Sequence, residues 1–262
     1  MKETKKETRR DFIKKSAGAA ALLSMPTIVP ASAFGANGKV SLAVIGVNGR
    51  GRSHIQGFMN LPNAEVTCLC DCDLNVLEPR AKEFDTRYSK KVKQQQDLRK
   101  VFEDKSIDAV SIATPNHWHS LATIWACQAG KDVYVEKPGS HNIFEGRKMV
   151  EAANKYDRIV QHGVQLRSSV AVQEAIKHLR DGLIGRVYMA RGLVFRWRGD
   201  IGKKGPGTAP QGLDYDLWTG PAEMKPFSED WVHYNWHWHW NWGNGDVGNQ
   251  GIHETDLCMW GL

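Results

Sequence analysis

The sequence predicts an α/β protein: a parallel sheet covered by helices on both faces, followed by a smaller α+β domain with an open, mostly antiparallel sheet. Three observations lead there. From Val40 onward, short apolar runs alternate with amphipathic stretches, the pattern of strands buried on both faces and joined by crossover helices. A glycine-rich turn, Gly46-Val47-Asn48-Gly49-Arg50-Gly51, separates the first run from the first amphipathic stretch. Beyond about residue 164 the pattern changes to one long alternating segment, a Gly- and Pro-rich loop and a tryptophan-rich run.

The first 33 residues read as an export signal and not as part of the fold. They combine a charged start, an apolar stretch from Ser16 to about Pro30 and a small-residue site, Ala31-Ser32-Ala33, which predicts cleavage after Ala33 and a periplasmic location. Within them "TRRDFIKK" resembles the twin-arginine signal, with Arg9 and Arg10 as the pair. That resemblance implies the twin-arginine export machinery as a partner, and export of a chain already folded. The apolar stretch is short and broken by Pro26 and Pro30, so no stable membrane span is expected. Of the formal net charge of +6, seven Lys/Arg against three Asp/Glu place +4 in this leader. The remaining +2 makes no case for nucleic acid.

In chain order, "VSLAVIGV" reads as a buried strand, "GRGRSHIQGFMNL" as a helix and "EVTCLCD" as a second strand. Later strands follow at "DAVSIAT", "DVYVEKP" and "IVQHGVQ". The helix "HSLATIWACQAG" stops at Gly130, and Asn142 with Glu145 forms a capping box before "GRKMVEAANKY". The second domain opens with a helix, "VAVQEAIKHLRD", that stops at Gly182, and continues with a strand, "RVYMARGLVFRW". These boundaries predict a signal (1–33), a parallel-sheet domain (34–164) and an α+β domain (165–262) that is expected to be incomplete at its C-terminus.

The glycine turn carries the first chemistry. A dinucleotide fingerprint wants glycine at its first, third and sixth places, to turn the chain, admit the pyrophosphate and pack helix on strand. Gly46 and Gly51 comply, Asn48 holds the third place, and Gly49 beside it shares the close approach. Arg50 lies in the same turn. Asp71 ends the second strand, where a carboxylate accepts from a ribose 2′-hydroxyl and repels a 2′-phosphate. NAD is therefore favoured over NADP. Of five cysteines, Cys68, Cys70 and Cys72 share one strand face and read as small buried hydrophobes, since no Cys-x-x-Cys pair is present.

With these residues in place, "ATPNHWH" (113–119) after the fourth strand and "EKP" (Glu136, Lys137, Pro138) after the fifth complete a signature. Together they resemble the Gfo/Idh/MocA oxidoreductases over nearly all of residues 38–262. The resemblance implies a Rossmann domain, a second domain whose open sheet carries the substrate and often mediates oligomerisation, and sugars or cyclitols as substrates. It implies that Thr114, Pro115 and Asn116 line the nicotinamide side of the cofactor and that His117 and His119 lie at the pocket mouth. Lys137 would stand between nicotinamide and substrate, where an ammonium stabilises a developing alkoxide. Arg167 would lie near the domain junction and, with Asp256, on the substrate side. The family's second motif stands here as "NQGIHETD". His253 is the expected general base and Asp256 the trailing acid, but Asn249 replaces the leading Asp and cannot accept a proton. Asp246 is a possible stand-in, with a turn in "NGD" as its blander role.

Three functions follow: an exported NAD-dependent oxidoreductase acting on a ring hydroxyl or keto group, a glycosidase that oxidises its sugar transiently, or a catalytically weak sugar-binding or assembly protein. In "HYNWHWHWNWGNGD" (233–246), strand alternation would put Tyr234, Trp236, Trp238, Trp240 and Trp242 on one face, and His233, His237, His239 and Asn241 on the other. The aromatic face is expected to pack against helices or a second subunit. His237, His239 and Asn241 are expected at the substrate pocket, and no metal site is expected because no acidic or thiolate ligand joins the histidines.

Overall fold

The computed structural model describes residues 38–262; the expected signal sequence, with Arg9, Arg10 and the site at Ala33, lies outside them. Six strands, β1 (Val40–Ile45), β2 (Ala64–Cys70), β3 (Lys93–Gln95), β4 (Ala109–Ile112), β5 (Asp132–Glu136) and β6 (Val160–Gly163), form one parallel sheet in the order β3-β2-β1-β4-β5-β6. Helices α1 (Arg50–Met59), α2 (Leu74–Tyr88), α3 (Leu98–Glu103), α4 (Asn116–Gln128) and α5 (Ile143–Lys155) make the crossovers. Strand order reverses at β1, between β2 on one side and β4 on the other, which opens a crevice at the strands' carboxyl ends.

The period of two along β1 explains why its run is continuously apolar. Ala43 and Ile45 join a cluster with Val101, Trp118, Ala122 and Met149, whereas Val44 joins Ile55, Leu69, Leu77 and Phe84 on the other face. Each such side chain, wholly removed from water, stabilises the fold by about 1.5–3 kcal/mol. Cys68 and Cys70 lie in the first cluster as free thiols, and burial pushes Cys68 up to about 12, so both act as hydrophobes. The expected cap on α5 is present: Asn142 Oδ1 accepts from Glu145 N at 2.9 Å. Its reciprocal half lands one residue early, with Glu145 Oε2 accepting from His141 N at 3.3 Å.

After β6, a 3₁₀ turn (Gln165–Ser168) leads to α6 (Val170–Arg180), which ends at Gly182 with φ of +84° as its sequence predicts. From there the structure departs from expectation. Residues 186–205 carry no regular secondary structure, so the expected strand "RVYMARGLVFRW" is not formed; no described strand runs beside it to take its backbone groups. Its aromatic side chains Tyr188, Phe195 and Trp197 are exposed. The tryptophan run is likewise not a strand. It folds as turns around a 3₁₀ segment (Asn235–Trp238), followed by a π-helical turn (Val247–Gly251) and α8 (Ile252–Gly261), with the short α7 (Tyr215–Thr219) lying upstream. Its aromatic residues do not share a face: Trp242 is 1% exposed and Trp240 88%. Packing decides this, because Trp242 enters a third cluster with Leu213, Trp218 and Phe227 that no straight strand reaches. Among the described residues, no helix is long and apolar enough to cross a membrane.

Candidate active site

A cavity of about 480 Å³ occupies the crevice at the carboxyl ends of the strands. It is lined by Gly46, Asn48, Gly49, Arg50, Asp71, Thr114, Pro115, Asn116, His119, Glu136, Lys137, His237, Asn249 and His253, residues the sequence singles out on separate elements. The glycine turn enters it from β1. Gly46 has φ of +81°, and a Cβ there would meet Ala113 O at 2.7 Å. A Cβ on Gly51 would strike Gly46 O, so this glycine lets α1 close on the turn. Nothing stands within 4 Å of a Cβ on Gly49, which leaves open the approach to the N-terminus of α1. An anionic pyrophosphate fits such an N-terminus, where unpaired N–H groups collect. The turn is held from both sides. Asp71 Oδ2 accepts from Val47 N at 2.9 Å, and Arg80 on α2 donates to Val47 O at 2.9 Å and to Asn48 O at 3.0 Å. Burial pushes the Asp71 carboxyl upward, and the N–H groups of Val47 and Asp73 oppose that rise.

At the other end of the cavity, Lys137 Nζ donates to the main-chain oxygen of Asn249 at 2.8 Å and to its Oδ1 at 3.2 Å. Burial holds the Lys137 ammonium below its ordinary value, with the Glu136 charge opposing the shift. Glu136 is the hub beside it. Its Oε1 accepts from Arg50 Nε at 2.7 Å and Gln165 Nε2 at 2.8 Å, with His54 Nε2 at 3.0 Å. These donors outweigh the burial that opposes ionisation and hold Glu136 down to about 2. His253 is lowered first by burial and then by the Lys137 charge, so its ring is a neutral base near pH 7; its buried Nδ1 has no partner. Thr114 Oγ1 is another buried polar atom without a partner at this end. An open glycine cradle at one end of the cavity and an ammonium beside an imidazole at the other are what a bound dinucleotide and a hydroxylated substrate would engage.

His119 lines the cavity but is tied down within the protein: it lies 2.6 Å from Pro138 O and 2.9 Å from Thr114 O and joins the ends of β4 and β5. His117 is not at a mouth: it is buried, with Nε2 3.0 Å from Trp218 O, and burial lowers it to about 4. Arg167 and Asp256, expected at the substrate, do not line the cavity but pair with each other through two bonds of 2.8 Å. Asp246 does not replace the missing acid, because Arg198 holds its carboxylate at 2.7 and 3.1 Å. His239 and Asn241 also lie off the cavity lining. Once the run coils, the histidine turns to Asp230 O at 3.2 Å and stacks edge-on to Trp231. Gln96, Trp118, Trp218, His233 and Tyr234 line the cavity without having been anticipated. Trp118 stands inside "ATPNHWH" and Gln96 follows β3, and neither is given a role by its motif or neighbours; Trp218, His233 and Tyr234 arrive through the folding of the loop around α7, where Asp214, which caps Leu217 N at 2.9 Å, is a local signal for a helix start.

A doubly wound sheet with a glycine turn at its switch point defines a dinucleotide-binding protein of the Rossmann class. Comparison with known proteins narrows the class. Residues 40–164 match the model described as oxidoreductase family, NAD-binding Rossmann fold, and residues 169–261 match that family's C-terminal alpha/beta domain. The chain belongs to the Gfo/Idh/MocA oxidoreductase family. It is 30% identical over 157 residues to the scyllo-inositol 2-dehydrogenase (NAD(+)) of Bacillus subtilis, covering 60% of this chain and 44% of that protein. It is 29% identical over 167 residues to a glycosyl hydrolase family 109 protein of Saccharopolyspora erythraea, covering 61% and 36%. The chain thus spans less than half the length of these curated relatives. Its fold is shared with the WlbA dehydrogenase of Bordetella pertussis, solved in complex with NADH and UDP-GlcNAcA, at a TM-score of 0.63 and 22% identity over 86% of this chain and 55% of that one.

Proposed function

We propose that this protein is an NAD-dependent oxidoreductase acting on a ring hydroxyl, or the corresponding keto group, of a sugar, cyclitol or glycoside. One observation carries the reading: an ammonium, Lys137, and a neutral imidazole, His253, line one cavity with the glycine turn. Bound nicotinamide would accept or return the hydride. Lys137 would hydrogen-bond the reacting oxygen and stabilise negative charge on it, while His253 takes the hydroxyl proton. Asn249 positions the ammonium through two oxygens and takes no proton. Glu136, held by Arg50, accepts from the main-chain N of Lys137 at 3.1 Å, and His237 would join the substrate side of the lining. Asp71 supports NAD over NADP, because a 2′-phosphate would meet its carboxylate.

A glycosidase that oxidises its sugar transiently is the second reading, favoured by the family 109 relatives. A weak binder or assembly protein is a third, for which Asn249 is the supporting residue. The export signal, periplasmic location and twin-arginine route belong to the same proposal. So does a homo-oligomer built on an open, mostly antiparallel sheet in the second part, supported by the exposed Tyr188, Phe195 and Trp197. The test is to purify the protein, look for bound nicotinamide absorbance, and offer sugars, cyclitols, keto-sugars and chromogenic glycosides. Sugar-dependent NADH supports the oxidoreductase, whereas glycoside cleavage without net NADH supports the glycosidase. Absence of any NAD binding overturns both.

A further inference from the structure

The tryptophan-rich half of the second part does not stand apart from the dinucleotide crevice; it is fastened along the rim. At the end of β2, Asp214 N donates to Cys72 O at 2.9 Å and Leu74 N donates to Gly212 O at 3.0 Å. Asn75 Nδ2 donates to Gln211 O at 2.8 Å, and Gln96 Nε2 bridges Cys72 O and Gly212 O at 3.0 Å each. Further along, Trp118 Nε1 donates to Leu217 O at 2.9 Å, and a Cβ on Gly220 would run into the Trp118 ring. His233 Nε2 meets Asp73 Oδ2 at 2.8 Å across 160 residues of chain. That carboxylate is buried, and its other oxygen holds Asn75 N at the start of α2.

These bonds set Trp218, His233, Tyr234 and Trp236 in the lining of the same cavity as Asp71, Cys72 and Gln96. In a doubly wound fold the adenosine half of a dinucleotide lies beside the end of the second strand. We propose that residues 211–236 form a fixed wall over that half, with the His233–Asp73 pair as its latch, so that a bound dinucleotide is retained and dissociates slowly. The inference rests on the reading of the cavity as a dinucleotide site. Trp218 is 4% exposed and anchored in its own apolar cluster, so the wall has a core that holds it in place without the ligand. His233 is the part of it that can open, because its side chain is 34% exposed and is held, among the described residues, by the bond to Asp73. Loss of the imidazole frees the Tyr234 end of the wall and leaves Gly212 and Asp214 attached.

The test uses the whole chain and NADH. Energy transfer from tryptophan to bound NADH reports occupancy, and mixing the complex with excess NAD gives the dissociation rate. His233→Ala is expected to release NADH at least tenfold faster than wild type. His233→Gln, whose amide donates to the Asp73 carboxylate, is expected to restore most of the slow release. Release from His233→Ala at the wild-type rate overturns the wall as the retaining element. If His233→Gln releases NADH as fast as His233→Ala while its thermal unfolding matches wild type, the hydrogen-bonded latch is overturned. Failure of wild type to show any energy transfer overturns the dinucleotide reading itself, a result distinct from the other two.

Discussion

At Lys137 the decisive fact is that two oxygens of one residue, Asn249, hold the ammonium in the cavity. On the proposed role, Lys137→Ala would remove the charge that faces the reacting oxygen, and kcat on the best substrate is expected to fall by at least about 100-fold. Steady-state kinetics beside an NADH fluorescence titration separates this loss from lost binding, which should be small. His253 carries a second expectation. Burial and the Lys137 charge both lower it, so its ring stays uncharged to a lower pH than an ordinary histidine's 6.5. Its NMR titration should show a midpoint below 6.5, and Lys137→Met should move that midpoint upward, since one of the two causes is removed; an unmoved midpoint contradicts the pairing. The sequence names both residues, because each stands in a short motif. It misdirects Arg167 and Asp256, because whether two charged side chains face a substrate or each other depends on distances that no motif encodes.

Elements were legible where local rules and packing agree. The parallel strands, their helices and the Asn142 cap follow from apolar runs, glycine stops and capping chemistry. Asn142→Ala should cost about 1 kcal/mol, the usual worth of an N-cap, read from urea unfolding midpoints. The glycine turn allows a finer contrast. Gly46→Ala meets both a positive φ and Ala113 O, so it is expected to destabilise the fold by roughly 1–3 kcal/mol and to weaken NADH binding. Gly49→Ala meets nothing in the protein, so it should fold like wild type yet bind NADH more weakly, because the methyl group occupies the ligand's approach. Calorimetric melting with NADH titration distinguishes the two. The tryptophan run misleads at this scale: its perfect alternation imitates a strand, but alternation predicts a strand only where a neighbouring strand supplies hydrogen bonds.

Across the whole molecule, the two parts are joined through buried polar groups, and pH is expected to report it. His117 on α4 is neutral when folded, with its ionisation lowered to about 4, and is linked to Trp218 and Trp242 of the second part. Between pH 6.5 and about 4 the unfolded chain takes up a proton that the folded chain refuses. Its contribution is complete above 6.5, and stability is lost as pH falls through that window, by up to roughly 3 kcal/mol. Urea midpoints from pH 7 to 4 should slope accordingly, and His117→Asn should reduce the slope, with His119, His162, His237 and His253, also lowered by burial, keeping the remainder. Glu136, held at about 2 against an ordinary 4.5, adds its own loss as pH falls from 4.5 towards 2, overlapping the lower end of that window. By itself the sequence determined the doubly wound domain, the glycine turn, Asp71, Lys137 and His253, because each rests on periodicity or on a motif a few residues long. Only the tertiary structure decided what the tryptophan run does. Its side chains are placed by one another and by the rim of the sheet, through contacts such as His233 with Asp73 that lie 160 residues apart and leave no local pattern in the chain.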